Sequence, residues 1–298
     1  MAIVLDGKRI RDEILAEWKP RVAALAQRRP PGLAVILVGN NPASEIYVRN
    51  KIAACQEMGI LSEKLTPPED IATAGLVALI EQLNQRPEVD GILVQMPLPP
   101  QIDVRRVLCA IRPDKDVDGF HPQNVGHLVA NTPAPRPCTP AGVIELLKRY
   151  RIPIAGRRAV VVGRSDIVGK PMALLLLHEH ATVTICHSRT QDLAGECRRA
   201  DILVAAIGRP AFITREFIGP QATVIDVGIN RLDEQQAAEI FGEGPGRRTI
   251  GDVHPLHVAE CAYAYTPVPG GVGQLTVAML MVNTIQAAEA HLGCSASA

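Results

Sequence analysis

The sequence predicts an α/β chain built as two units, and three observations carry that prediction. Runs of apolar, largely β-branched residues recur along the chain, helical periods separate them, and a glycine-bearing strand-to-helix turn opens the second half. The runs are LAVILVG (33–39), GILVQM (91–96), RAVVVG (158–163), ATVTICH (181–187), DILVAAIG (201–208) and ATVIDVG (222–228). Helical periods lie at 71–84, 140–150 and 192–199. Continuous apolar strands alternating with helices imply parallel sheets covered on both faces, because each crossover lays a helix on its sheet.

The boundary between the units is the proline-rich stretch NTPAPRPCTPAG (131–142), a stiff connection. Thr139 reads as an N-cap with Pro140 at the first helical position. An alanine-rich pattern from Leu275 to Ala290 reads as a long helix that returns to the first unit. The expected domains are therefore 1–139 with 275–298, and 140–274 inserted between them. A polar, glycine-rich loop is expected at FGEGPGRRT (241–249).

At 298 residues the chain is too long for one small core and suits two domains of ordinary size. Its 31 basic and 31 acidic residues are mixed without a long basic block, which argues against nucleic-acid or membrane-surface binding. Seven scattered cysteines, with no Cys-x-x-Cys pair, fit a reduced protein in which thiols serve as small apolar groups. MAIVLDGKRI is no secretory signal, no apolar run reaches membrane-spanning length, and the expected compartment is the cytoplasm. His178 and His180 would diverge on a helix, and His254 and His257 have no third ligand nearby, so no structural metal is expected.

The second unit reads as a nucleotide-binding one. AVVVGRSDIVGKP (159–171) ends a strand at Gly163 and opens a helix at Gly169. The first glycine permits the tight turn; the second lets a pyrophosphate approach exposed N–H groups at the positive end of the helix. Three further strands in βαβ rhythm make the unit Rossmann-like, a doubly wound parallel sheet. An NAD site usually offers an acid about 20 residues after the first glycine. Here His187, Ser188, Arg189 and Thr190 stand there instead. A hydroxyl and a guanidinium, with Arg164 in the first loop, suit a 2′-phosphate and favour NADP. Gly228 should lie at a carboxyl edge, where ligands of open α/β sheets collect, so Ile229 and Asn230 would face the nicotinamide end. In TPVPGGVGQLT (266–276), Gly270, Gly271 and Gly273 allow a backbone to come close to a ligand.

The first unit carries the chemistry. In SEIYVRNKIAACQEMG (44–59), Ser44, Tyr47 and Lys51 fall at i, i+3 and i+7 on one strip of a helix, while Val48, Ile52 and Cys55 form the core-facing strip. A ring beside an amine suits a flat polar substrate whose reaction moves a proton. Gln95, at a strand's carboxyl end in VQMPLPP (94–100), can both donate and accept. DKDVDGFHP (114–122) gathers Asp114, Asp116 and Asp118, without the oxygen spacing of a calcium loop. A carboxylate there can instead accept two N–H bonds from an amino-pyrimidine edge.

Taken in order, LDGKRI (5–10), SEIYVRNK, VQMPLP, DKDVDGFHPQNVG, PCTPAG, VVGRSDIVGKP, VIDVGIN, GDV and TPVPGGVG closely resemble the methylenetetrahydrofolate dehydrogenase/cyclohydrolase family across nearly the whole chain. The resemblance implies two α/β domains with a cleft between them, and a homodimer. It implies oxidation of 5,10-methylenetetrahydrofolate by NADP to the methenyl cation, followed by hydrolysis to 10-formyltetrahydrofolate. It makes Lys51 the catalytic lysine, Tyr47 the stacking tyrosine, Gln95 the lysine's partner and Asp118 the group that grips the pterin. By the same match Arg164, Ser165 and Ser188 contact the cofactor and Gly270 and Gly271 border the folate. Gln274 stands where the family generally has proline, His254 follows GDV where an acid is common, and Arg189 is an additional cation.

Three other readings compete. A short-chain dehydrogenase also uses Tyr-x-x-x-Lys, but after its glycine loop; here the pair precedes Gly163 by more than a hundred residues. A shikimate-dehydrogenase-like NADP oxidoreductase shares the substrate-then-cofactor order but gives no reason for a stacking tyrosine or for DVDG. A nucleotide-sensing protein without turnover is the third.

Overall fold

The computed structural model describes residues 2–241 and 248–294, so most of the expected loop at 241–249 lies outside the described residues. In chain order its strands are β1 (Ile3–Val4), β2 (Gly32–Ile36), β3 (Leu61–Leu65), β4 (Gly91–Val94), β5 (Arg158–Val162) and β6 (Thr182–Cys186). They continue with β7 (Ile202–Ala205), β8 (Thr223–Asp226), β9 (Asn230–Arg231), β10 (Thr249–Ile250) and β11 (Ala264–Tyr265). The chain divides into two compact units, Met1–Arg11 with Thr139–Thr276, and Asp12–Cys138 with Val277–Ala298.

The unit Asp12–Cys138 with Val277–Ala298, termed the smaller unit for the size of its sheet, holds a three-stranded parallel sheet in the order β3-β2-β4. All five residues of β2 are buried, as expected of a central strand sandwiched by helices. One core cluster joins Ala34, Ile36, Ile92 and Val94 of the sheet to Leu76, Ile80 and Leu83 of the Thr73–Gln85 helix. β3 has no counterpart among the six apolar runs. Its sequence LSEKL sits on an edge with Leu61 62% exposed, so the run of apolar side chains that marks a doubly covered strand is missing.

The other unit, termed the larger unit for the size of its sheet, is built on six wholly parallel strands in the order β1-β11-β8-β7-β5-β6, with β9 and β10 as a separate antiparallel pair. The chain leaves β5 for β6 on one side and returns to β7 on the other, so the connections diverge around β5. The crevice outside the carboxyl ends at such a switch point is where ligands of doubly wound sheets bind.

Two sequence expectations need correction. The N-terminal segment was expected in the first unit. Instead β1 pairs in parallel with β11, and Met1–Arg11 belongs to the larger unit. Two-residue strands are too short to show as apolar runs, so sequence pattern could not reveal this pairing. Thr139 is not an N-cap: the helix already starts at Cys138, and Thr139 Oγ1 shares a 2.9 Å hydrogen bond with Thr276 Oγ1. The terminal helix runs Val272–His291, three residues earlier in onset than its alanine-rich core suggests.

Candidate active site

Lys51 is carried by the Pro42–Met58 helix and Gln95 follows β4 at its carboxyl end. Lys51 Nζ donates to Gln95 Oε1 at 3.0 Å, while Gln95 Nε2 donates to the Met96 carbonyl at 2.6 Å. The second bond fixes which end of the amide faces the amine. A neutral oxygen thus orients Lys51 without supplying a counter-charge.

Asp118 reaches the same edge by a different route. Asp116 bridges to Ile92 in parallel, which carries the segment alongside β4 and brings Asp118 level with its carboxyl end. Neighbouring groups fix that segment. Asn283 Nδ2 donates to the carbonyls of Val117 at 2.8 Å and Arg136 at 2.9 Å. Gly119 has φ +72°, and a side chain there would meet the Arg136 and Pro137 backbone, so glycine is required on both grounds. Burial pushes the Asp118 carboxyl up to about 6; the Lys51 charge opposes the rise and Asp116 adds to it.

The other acids of DKDVDG have separate tasks. Asp116 is buried, and its Oδ2 accepts from His121 N at 2.7 Å and Asn124 Nδ2 at 2.9 Å at the start of the Pro122–Ala130 helix. Lys115 Nζ donates to the Arg86 carbonyl at 2.7 Å, beyond the end of the Thr73–Gln85 helix. Asp114 bonds Arg112. Among the described residues no three metal-ligating side chains gather.

Tyr47, 38% exposed, presents its ring at the surface of the Lys51 helix. Ser44 does not share that exposure. It is only 3% exposed and, four residues before fully buried Val48, lies on the core side of the helix. The sequence strip was one step too wide, because i, i+3 and i+7 spans both the solvent and the core margins of a helix. Ile52 is half-buried, and Ala54, Cys55 and Met58 complete the core side.

In the larger unit, Gly163 (φ +130°) ends β5 where a side chain would overlap the Ala206 carbonyl, and a Cβ on Gly169 would overlap the Gly163 carbonyl. Both glycines therefore let three backbone segments meet at the switch point. Ser165 Oγ accepts from Val168 N and Gly169 N, each at 3.2 Å, leaving its own proton free to donate. Arg164, Ser188 and Arg189 are exposed. The turn that carries Ser188 and Arg189 is set by Thr190 Oγ1 accepting from His187 N at 2.8 Å and His187 Nδ1 accepting from Arg189 N at 3.1 Å.

Gly270 (φ +105°) and Gly271 also belong to the larger unit. Gly7 N donates to the Gly270 carbonyl at 3.0 Å, and a side chain on Gly7 would overlap Gly271, so the LDGKRI motif seats this loop. Ile229 is 46% exposed, and its Cδ1 lies where a side chain on Gly273 would press at 3.2 Å.

A pair of buried carboxylates, absent from the sequence expectations, underlies these loops. Asp226 Oδ1 accepts from Gly228 N at 3.0 Å and Asp252 N at 2.8 Å, and its Oδ2 accepts from Val253 N at 2.9 Å. Burial pushes Asp226 up to about 7 against those amide bonds. The available signal was the aspartate in each of VIDVGIN and GDV, within two residues of a glycine. His254, which follows GDV, caps the Pro255–Cys261 helix through its side chain, the task an acid performs at an N-cap.

Two family models match the chain: tetrahydrofolate dehydrogenase/cyclohydrolase, catalytic domain, over residues 5–118, and the NAD(P)-binding domain of the same family over residues 137–292. The chain belongs to this family. A relative in Solibacter usitatus (strain Ellin6076), named bifunctional protein FolD, is 66% identical, covering 98% of this chain and 99% of its own length. A second, from Moorella thermoacetica, is 54% identical over 96% of this chain and 99% of its own. Among solved structures, the bifunctional FolD enzyme of Campylobacter jejuni is 43% identical, with TM-score 0.90 over 97% of this chain and 99% of that one. The Trypanosoma brucei dehydrogenase-cyclohydrolase, solved with NADP and an inhibitor, is 38% identical, with TM-score 0.90 over 98% of each chain. Membership removes the short-chain-dehydrogenase and shikimate-type alternatives. No helix among the described residues is long and apolar enough to cross a membrane.

Proposed function

We propose that the chain oxidises 5,10-methylenetetrahydrofolate with NADP and hydrolyses the resulting methenyl cation to 10-formyltetrahydrofolate, with Lys51 as the proton-moving group. Family membership supports the two activities. The single observation that carries the residue assignment is the 3.0 Å bond from Lys51 Nζ to the neutral Gln95 Oε1. The Lys51–Gln95 pair and Asp118 lie at one edge of the smaller unit, which we assign to the folate.

The residues of the larger unit fit NADP. The two glycines clear the strand-to-helix turn, Ser165 retains a proton to donate, and Ser188 with Arg189 and Arg164 presents hydroxyl and cationic groups for a 2′-phosphate. Held by these residues, NADP would supply the hydride acceptor. The protein's part in that step is alignment, since the folate nitrogens stabilise the cation themselves. In hydrolysis, water adds to the methenyl carbon, Lys51 Nζ moves the proton that the water gives up, and the departing ring nitrogen takes a proton. Tyr47 stacks on the folate and Asp118 accepts from its amino-pyrimidine edge. The working form is a homodimer.

Adding purified protein to methylenetetrahydrofolate and NADP should raise methenyl absorbance, which then decays as hydrolysis follows; NAD should support a lower rate. Absence of the rise refutes the dehydrogenase assignment, and a rise without decay refutes the cyclohydrolase.

A further inference from the structure

Asp252 is fully buried, yet its carboxyl is saturated with donors. Oδ2 accepts from Ile207 N at 2.7 Å and Gly208 N at 2.9 Å, and Oδ1 accepts from Arg209 N at 2.9 Å and Asn230 Nδ2 at 2.9 Å. Three of these donors are consecutive amides just beyond β7; the fourth stands beyond β8. An ionised carboxylate offers about four acceptor positions, so none remains for a ligand. Asp226 holds the opposite side, binding Gly228 N and the amides of Asp252 and Val253. Gly228 and Gly251 are glycines because a Cβ on the first would overlap the Asp252 carboxyl and on the second the Asp226 carboxyl. The pair therefore fastens the 207–209 and 228–230 segments to one rigid point, with Ile229 left exposed between two anchored neighbours.

We propose that Asp252, backed by Asp226, is a positioning residue that sets both walls of the nicotinamide end of the cofactor site, and so governs hydride transfer without touching the reacting atoms. This rests on the assignment of the larger unit to NADP. The two segments end adjacent strands β7 and β8 at the carboxyl edge, where a doubly wound sheet places its ligand. Asp252→Asn would leave one oxygen for four donors and turn an NH2 group against two of them. Misplacing a wall by about 1 Å costs on the order of a hundredfold in turnover.

The test compares Asp252→Asn and the milder Asn230→Ala with the wild type. Both should lower dehydrogenase kcat, about a hundredfold and about tenfold, with KM for NADP nearly unchanged. Hydrolysis of supplied methenyltetrahydrofolate, measured without NADP, should continue at the wild-type rate and serves as the folding control. In the protein without cofactor, hydrogen exchange of amides 207–209 should accelerate in Asp252→Asn. If Asp252→Asn does not fold, Asn230→Ala carries the kinetic test. Equal losses in both reactions, or no dehydrogenase loss in a folded variant, overturn the proposal. Arg189→Ala, run alongside, should raise KM for NADP; an unchanged KM there sinks the cofactor assignment itself, separately from the clamp.

Discussion

The two ends of the three-stranded sheet treat charge in opposite ways. At the amino end of β4, Asp90 is fully buried and saturated: Arg29 meets it with two bonds of 2.6 Å, Gly32 N donates at 2.9 Å and His291 Nδ1 lies at 2.9 Å. Burial would raise this carboxyl, but the bonds from Arg29, His291 and Gly32 outweigh it and hold Asp90 below the usual carboxylate range. At the carboxyl end, Asp118 remains raised, to about 6, because the Lys51 charge only partly offsets burial. The difference separates holding from reacting. Charge satisfied within the protein ties Arg29, β2 and the terminal helix to β4, whereas charge left under-satisfied is what a polar substrate can complete.

The largest expected effect removes the amine. Lys51→Met should lower methenyl hydrolysis by about 10²–10⁴-fold, the usual worth of general acid–base catalysis, while the thermal midpoint stays at the wild-type value. Decay of methenyl absorbance checks it, and unchanged turnover breaks the contrast at its reactive end. Next comes Asp90→Asn. Removing one partner of a buried ion pair costs about 3–5 kcal/mol, read from urea unfolding, with kinetic constants of the folded fraction unaltered. The pH sign follows from a folded pKa below the unfolded value of about 3.9. Asp90 contributes stability above that value, and the contribution fades as pH falls through the folded pKa. The gap between wild type and Asp90→Asn should therefore narrow on acidification below about pH 4.

Legibility in the sequence followed how local each determinant is. β5, β7 and β8 announced themselves because doubly covered strands are uninterrupted apolar runs, and Gly163 and Gly169 because a strand-to-helix turn is a local motif. β1 and β11 did not, since their pairing joins residues near 3 and 264 through two-residue strands. Within the site, Lys51, Tyr47 and Gln95 could be singled out by spacing, but Ser44 could not be assigned to the core side without seeing the helix packed. Asp252 was missed for a chemical reason. Three of its four donors are backbone amides, and a backbone amide leaves no trace in a sequence.

The smallest effect is also the sharpest test of the contrast, because binding and stability move in opposite directions. With Asp118 raised to about 6, its carboxylate is ionised at neutral pH and becomes protonated below that value. The ionised form is the one that accepts from an amino-pyrimidine edge, so KM for the folate should rise as pH falls through about 6, by roughly tenfold if one charge-assisted bond is lost. Asp118→Asn should show the raised KM at every pH and no inflection. For stability the sign reverses. A folded pKa above the unfolded value of about 3.9 means that Asp118 contributes stability below that value and loses it as pH rises through about 6. At pH 7 the asparagine variant should therefore unfold at a slightly higher temperature than the wild type, where Asp90→Asn unfolds far lower. A fall in midpoint for Asp118→Asn would mean that its carboxylate, like that of Asp90, is a structural anchor.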